Sequence, residues 1–124
     1  MRNGRLSIDY LEDILDAITK SQRFVHGMGK EQFLQDDKTA FAVIRALEII
    51  GEAAKKIPEG TRCKYPDLPW REMAGMRDKL IHDYIGVNLE VVWKTVFEDL
   101  PALEQNLRKA ISSENNPSAT SQRS

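Results

Sequence analysis

The stretch "DKTAFAVIRALEIIGEAAKKI", residues 37–57, decides the fold. Phe41, Ile44, Leu47, Gly51, Ala54 and Ile57 recur at steps of three and four, which is one apolar or small-residue stripe of an amphipathic helix. Asp36 or Asp37 stands where a helix wants an N-cap oxygen, and Pro58 and Gly60 in "IPEG" end regular structure. A helix of this length is long enough to act as one staff of a bundle.

The same period recurs on both sides. Upstream, Ile8, Leu11, Ile14, Leu15 and Ile18 form a stripe that predicts a first helix to about Val25, with Ser7 or Asp9 as its cap and Glu12 in its first turn. "HGMGKEQFLQDD" then breaks the pattern with two glycines. Downstream, "TRCKYPDLPW" reads as a loop with two prolines, and Pro69 suits the start of a short helix, Trp70 to Met76, that leads into "GMRDKLIHDYIG". Asn88 caps a last helix with Glu90 in its first turn and a stripe of Val92, Val96, Leu100, Leu103, Leu107 and Ile111. Pro101 lies inside that helix, where it removes one backbone donor and should kink the rod. "SSENNPSATSQRS" has no large apolar residue and reads as a disordered tail. No strand-like alternation, hairpin signal or internal repeat is present. The expectation is an all-α, up-and-down bundle of four to five helices, with residues 1–111 as one domain and 112–124 as a polar tail.

Composition narrows the function classes. A chain of 124 residues, 41% hydrophobic and 30% charged, suits one soluble domain with a core of its own. A lone cysteine, Cys63, allows no intrachain disulfide and no cysteine-rich zinc framework, which points to a reducing, cytoplasmic setting. The N-terminal segment carries acids among its apolar positions, unlike a signal or transit peptide, and the longest apolar run, "AFAVI", is far too short for a membrane span. Net charge is −1, so no global basic footprint exists for long duplex binding. The charge is uneven, however: seven basic residues stand against four acids between Lys55 and Lys79. Such a local positive patch on an acidic body suits a small phosphate-bearing ligand or a short RNA contact.

Within that patch, "GMRDKLIHDYIG" carries Arg77, His82 and Tyr84. Cutting RNA without a metal needs a base for the 2′-hydroxyl proton, an acid for the leaving 5′-oxygen and a cation for the charged phosphorane. Histidine performs either proton task near neutral pH, and arginine binds two phosphate oxygens while staying charged. The chain has two histidines, and His26 lies in a glycine-flanked loop far from His82 in sequence. A two-fold dimer would supply the second proton group by bringing two copies of His82 together. On a straight helix Arg77 and His82 stand about 140° apart, so either the arginine wraps round or the helix is irregular. Asp78 and His82, four apart, share a face. The plainer reading of the same residues is a solvated helix face with Leu80, Ile81 and Tyr84 facing the core or its rim.

The stretch resembles the HEPN superfamily, marked by an arginine, four to six residues and a histidine, usually with a polar residue directly after the arginine. Its nearest likeness is to HepT-like ribonuclease toxins with an R-x4-H-x-Y motif. "RALEIIGEAAKKI" (Arg45 to Ile57) and "PWREMAGMRDKLIHDYIGVNLEVVW" (Pro69 to Trp93) also look like that family's segments, and the likeness runs from Phe41 to Leu107. The resemblance implies a helical homodimer whose motifs line one cleft, acting on RNA without a metal or other cofactor. The usual partner is a minimal nucleotidyltransferase antitoxin. Carried over by position, Arg77 and His82 are catalytic, Asp78 is supporting and Tyr84 is the hydroxyl that the partner AMPylates. Asp78 departs from the commoner asparagine-like choice, which weakens its assignment as an orienter of His82.

Glu48 and Glu52 share a face of the second long helix. Either they pair with Arg45, Lys55 or Lys56 at helical spacing, or Glu52 lines the cleft and holds Arg77. A carboxylate-bridged metal bundle is disfavoured because its Glu-x-x-His pairs are missing. Trp70 and Trp93 read as core or interface anchors. Two alternatives remain: a non-catalytic HEPN-like subunit that binds a nucleotidyltransferase or a nucleotide, and a helix-turn-helix regulator, which lacks a basic recognition helix.

Overall fold

The computed structural model describes residues 6–82 and 88–116, with the side chains of residues 77–82 outside the described set. The elements are α1 (Ser7–Phe24), α2 (Lys30–Leu34), α3 (Asp37–Lys56), α4 (Glu59–Lys64), α5 (Trp70–His82), α6 (Leu89–Lys94), a π-helical turn (Thr95–Asp99) and α7 (Leu100–Asn115). Among the described residues there is no strand. Four long rods, the last built from α6, the π turn and α7, make the all-α bundle that the periodicity predicts. The helix α3 packs on both α1 and α5, and α1 also packs on α7.

The core is the sum of the apolar stripes. Leu11, Ile14, Ile18, Val43, Ile50, Leu100 and Leu107 are buried together with Phe33 and Met73. Burying each such side chain contributes about 1.5–3 kcal/mol before chain entropy is set against it. All six predicted stripe positions of the last rod, Val92 through Ile111, are buried. On α3 the expected stripe is buried at Leu47, Gly51, Ala54 and Ile57, and the inward face is wider than that stripe. Ala40, Val43, Ala46, Leu47 and Ile50 face inward, whereas Phe41 is 77% exposed. The small alanines let α3 lie close to two neighbours, a wider buried face than one stripe of large residues describes.

Local chemistry accounts for the element ends. Asp36 caps α3 by accepting from the Thr39 N–H at 3.0 Å. That amide donor and the Thr39 hydroxyl hold the Asp36 carboxyl below its usual range. Asn88 caps α6, accepting from Glu90 and Val91. The start of α1 differs from expectation: Leu6 is the N-cap position, and Asp9 reaches back to accept its N–H at 2.9 Å. Ser7 instead bonds Thr61 at 3.0 Å across the fold.

Two segments expected as loops contain helical turns. The helix α2 forms because Phe33 has a core site beside Trp93, ring centroids 5.3 Å apart. The helix α4 forms past Pro58, which cannot extend α3 but serves as a cap position for the next turn. Gly60 therefore lies within a helix. The helix α5 runs unbroken from Trp70 to His82, with Met73 buried and Trp70 Nε1 donating to the Tyr65 carbonyl at 3.0 Å. Pro101 acts on the last rod as a disturbance just before it. Leu100 N–H bonds the Thr95 carbonyl five residues back, so the turn widens while the rod continues. Finally, α7 extends past Ile111 to Asn115, because Glu114 is tied to Lys64 at 3.1 Å and to the Tyr65 hydroxyl. The expected tail boundary at residue 112 thus falls inside the helix, and residues 117–124 lie outside the described set.

Candidate functional site

The helix α5 positions the motif. Pro69 and the Met73 N–H to Pro69 carbonyl bond, 2.9 Å, set its first turn, and buried Met73 and Leu68 fasten it to the core. The far end of that helix then carries Arg77, Asp78 and His82 on one backbone segment. Since the backbone is helical through His82, five residues place Arg77 and His82 about 140° apart around the axis. The helix is regular here, which removes helix irregularity as the way to bring them onto one face. Asp78 and His82 share a face by register. The side chains of all three lie outside the described set, as does Tyr84 altogether.

Beside α5 runs α3, with a polar stripe of Arg45, Glu48 and Glu52. Arg45 Nη1 donates to Glu52 Oε2 at 3.1 Å and to Glu48 Oε1 at 3.3 Å. The pairing with Arg45 expected from helical spacing is thus present, and the two carboxylates, Glu52 foremost, raise the Arg45 pKa above its usual value. Among the described residues, no group of three or more His, Cys, Asp or Glu side chains is placed to hold a metal ion. No helix among them is long and apolar enough to cross a membrane.

A second feature escaped sequence reasoning. A cleft of about 260 Å³ opens between the α1–α2 turn and the π turn, lined by Gln22, His26, Phe97 and Pro101 among others. His26 belongs to this cleft and not to the described part of α5. The signals were Pro101, which forces the wide turn, and Gly27, whose φ of +80° sharpens the α1–α2 turn at a value that disfavours other residues.

Against this geometry stands the comparison with known proteins. The family profile described as ribonuclease HepT-like matches residues 14–110, which includes α3, α5 and the whole R-x4-H-x-Y motif. The chain belongs to the HepT-like family of ribonucleases. A relative named "Probable ribonuclease HepT" in Thermococcus cleftensis is 57% identical over 101 residues, 82% of this chain and 92% of the relative. Two more carry RNase in their names. One, from Caldanaerobacter subterraneus, is 43% identical over 105 residues, 85% of this chain and 94% of the relative. The other, from Methanocaldococcus jannaschii, is 45% identical over 102 residues, 82% of this chain and 88% of the relative. No solved structure matches the chain. As a HepT-like protein the chain is a HEPN-type helical bundle, as the resemblance of "RALEIIGEAAKKI" and "PWREMAGMR" implied.

Proposed function

We propose that this HepT-like protein is a metal-independent endoribonuclease toxin whose cleft is formed by the R-x4-H-x-Y motifs of two protomers. The observation that carries the reading is the family match across residues 14–110, which spans Arg77, His82 and Tyr84 together. Relatives at 43–57% identity that bear ribonuclease names support the same reaction class.

In this reading Arg77 binds the scissile phosphate through two N–H donors and stabilises the developing phosphorane charge. One His82 imidazole takes the proton from the 2′-hydroxyl as that oxygen attacks phosphorus. The partner protomer's copy of His82, in protonated form, gives a proton to the departing 5′-oxygen. The products are a 2′,3′-cyclic phosphate and a free 5′-hydroxyl. Two protomers explain why one chain needs only one motif histidine, and why the 140° separation on one helix is no obstacle: a phosphate between two helices can meet Arg77 of one and His82 of the other. Asp78, on the face of His82, orients the imidazole, and Glu52 on neighbouring α3 supports Arg77. A nucleotidyltransferase antitoxin silences the enzyme by attaching AMP to the Tyr84 hydroxyl.

Incubation of purified protein with mixed cellular RNA in chelator tests the reading. Wild type should cut, leaving cyclic-phosphate ends. Arg77→Ala and His82→Ala should each lose about 10²–10⁴-fold in rate while remaining folded. Equal cleavage by wild type and His82→Ala would overturn the catalytic assignment and favour a non-catalytic binding subunit.

A further inference from the structure

The cleft between the α1–α2 turn and the π turn includes no residue of the motif, and its lining has a definite chemistry. Phe97 is 47% exposed, yet its ring is held by a tilted stack on Trp93, centroids 4.1 Å apart. Trp93 in turn leans on Phe33, which is fully buried. An aromatic row therefore runs from the core to the surface and ends on a ring that water can reach. Such a ring is ordered before any ligand arrives, so little rotamer freedom is lost on binding.

The remaining walls narrow the class of ligand. None of the lining residues is lysine, arginine, aspartate or glutamate. The cleft therefore carries no ammonium, guanidinium or carboxylate and asks no charge of its ligand. Val25, Val96 and Pro101 give it apolar sides, while Gln22 and His26 bring side chains that each combine a donor with an acceptor. An aromatic platform with a mixed donor–acceptor rim suits a flat, uncharged heteroaromatic ring whose edge carries both donors and acceptors. About 260 Å³ is below the usual range for drug-sized ligands and adequate for a single ring system. Wide π turns are frequent at functional sites, and this one sets Phe97 beside the cleft.

We propose that this cleft is a subsite for one unpaired base of an RNA strand, stacked on Phe97 with its edge facing Gln22 and His26. The proposal rests on the ribonuclease reading for the choice of RNA, and it adds a place where substrate is held away from the scissile phosphate. Unpaired bases are recognised in this way, by stacking on aromatic rings and hydrogen bonding along exposed edges. A strand held there enters the reaction cleft single-stranded, so a paired region should be a poor substrate.

The test uses the full-length chain and a fluorescein-labelled hexanucleotide with 2′-O-methyl groups, which cannot be cut because the attacking hydroxyl is blocked. A matching strand with abasic sugars is the control, and binding is read by anisotropy. Wild type should bind the base-bearing strand more tightly. Phe97→Ala should weaken that binding about 5- to 150-fold, the loss of one stacked base, and leave the abasic strand unaffected. Phe97→Trp should retain it. Gln22→Ala, which leaves the platform intact, should weaken it less and unequally for adenine and uracil strands. The proposal is overturned by unchanged affinity in Phe97→Ala, by equal loss on both strands, or by wild type that does not distinguish them. A fall in light-scattering mass of Phe97→Ala with unchanged RNA affinity would assign the cleft to a protein contact and likewise overturn it. Cleavage of ordinary RNA by wild type, measured in parallel, reports on the ribonuclease reading by itself, so either idea can fail while the other stands.

Discussion

Arg45 reaches two turns along α3 to donate to Glu52 at 3.1 Å, and the same nitrogen meets Glu48 at 3.3 Å. The helix that carries this cluster packs on α5, whose motif brings Arg77. As a stability device the cluster is weak: the Arg45 side chain is 58% exposed, and exposed pairs contribute about 0.2–1 kcal/mol. A supporting role for Glu52 toward Arg77 therefore predicts a separation of effects. Glu52→Gln should lower kcat for RNA cleavage about tenfold with little change in thermal midpoint, while Arg45→Met should leave cleavage near wild type. Equal rate losses in both variants, or none in Glu52→Gln, would confine Glu52 to its pairing on α3.

Much of this architecture is legible without coordinates because helical periodicity and capping are local. The stripe of the last rod and the caps at Asp36 and Asn88 are where spacing and side-chain chemistry place them. Features that depend on what meets what are not local. Phe41 fits the α3 period, yet it lies outside the inward face, which widens to take in Ala40, Val43 and Ala46 because α3 has two neighbours. The turn α2 exists because Phe33 finds a buried site, and α7 extends to Asn115 because Glu114 finds Tyr65 about fifty residues away in sequence. For the candidate site, the motif and its helix are readable from residue types and resemblance. The cleft beside Phe97 is not, since it arises between the α1–α2 turn and the π turn.

The contact of Glu114 with Lys64 and Tyr65 predicts a pH dependence at both ends of the scale. Burial alone would raise the Glu114 pKa, but hydrogen bonds from Tyr65 and Lys64 outweigh it and hold the group below its ordinary value. A lowered folded pKa means stability present above the unfolded value and lost as pH falls through the folded one, so the acid loss should begin below about pH 4.5. Burial and the bond to Glu114 raise the Tyr65 pKa, so its contribution is complete below about pH 10 and fades as pH rises through the folded value. Glu114→Gln should lower stability by about 1 kcal/mol at neutral pH and flatten the acid limb. Truncation after Ile111 should cost at least as much. Thermal unfolding across pH checks both. A truncated chain as stable as wild type would show that the last turn of α7 contributes nothing.

Phe41 predicts something about assembly. At 77% exposure it gains nothing from the monomer's core, and it sits one turn before Arg45 on the helix adjoining α5. If the proposed dimer draws on α3, this ring is covered by the second chain. Phe41→Asp should then shift the light-scattering mass from dimer toward monomer at micromolar concentration and reduce RNA cleavage with it, leaving helical content unchanged. A wild type already monomeric, or a dimer indifferent to Phe41→Asp, would place the interface elsewhere or remove it.

Tyr84 carries the last prediction. A phenol of pKa about 10 is a poor base at neutral pH. Proton transfer is thus an unsuitable task for it, and modification by the proposed antitoxin is the better one. Each AMP brings a phosphodiester whose negative charge competes with RNA for Arg77, and a nucleoside bulky enough to obstruct the cleft. Protein co-expressed with its nucleotidyltransferase should carry added mass in multiples of AMP on the peptide containing Tyr84. Tyr84→Phe should cut RNA at close to the wild-type rate and escape silencing. If the partner silences Tyr84→Phe as fully as wild type with no nucleotide attached, inhibition works by occlusion, and the hydroxyl at position 84 has no part in it.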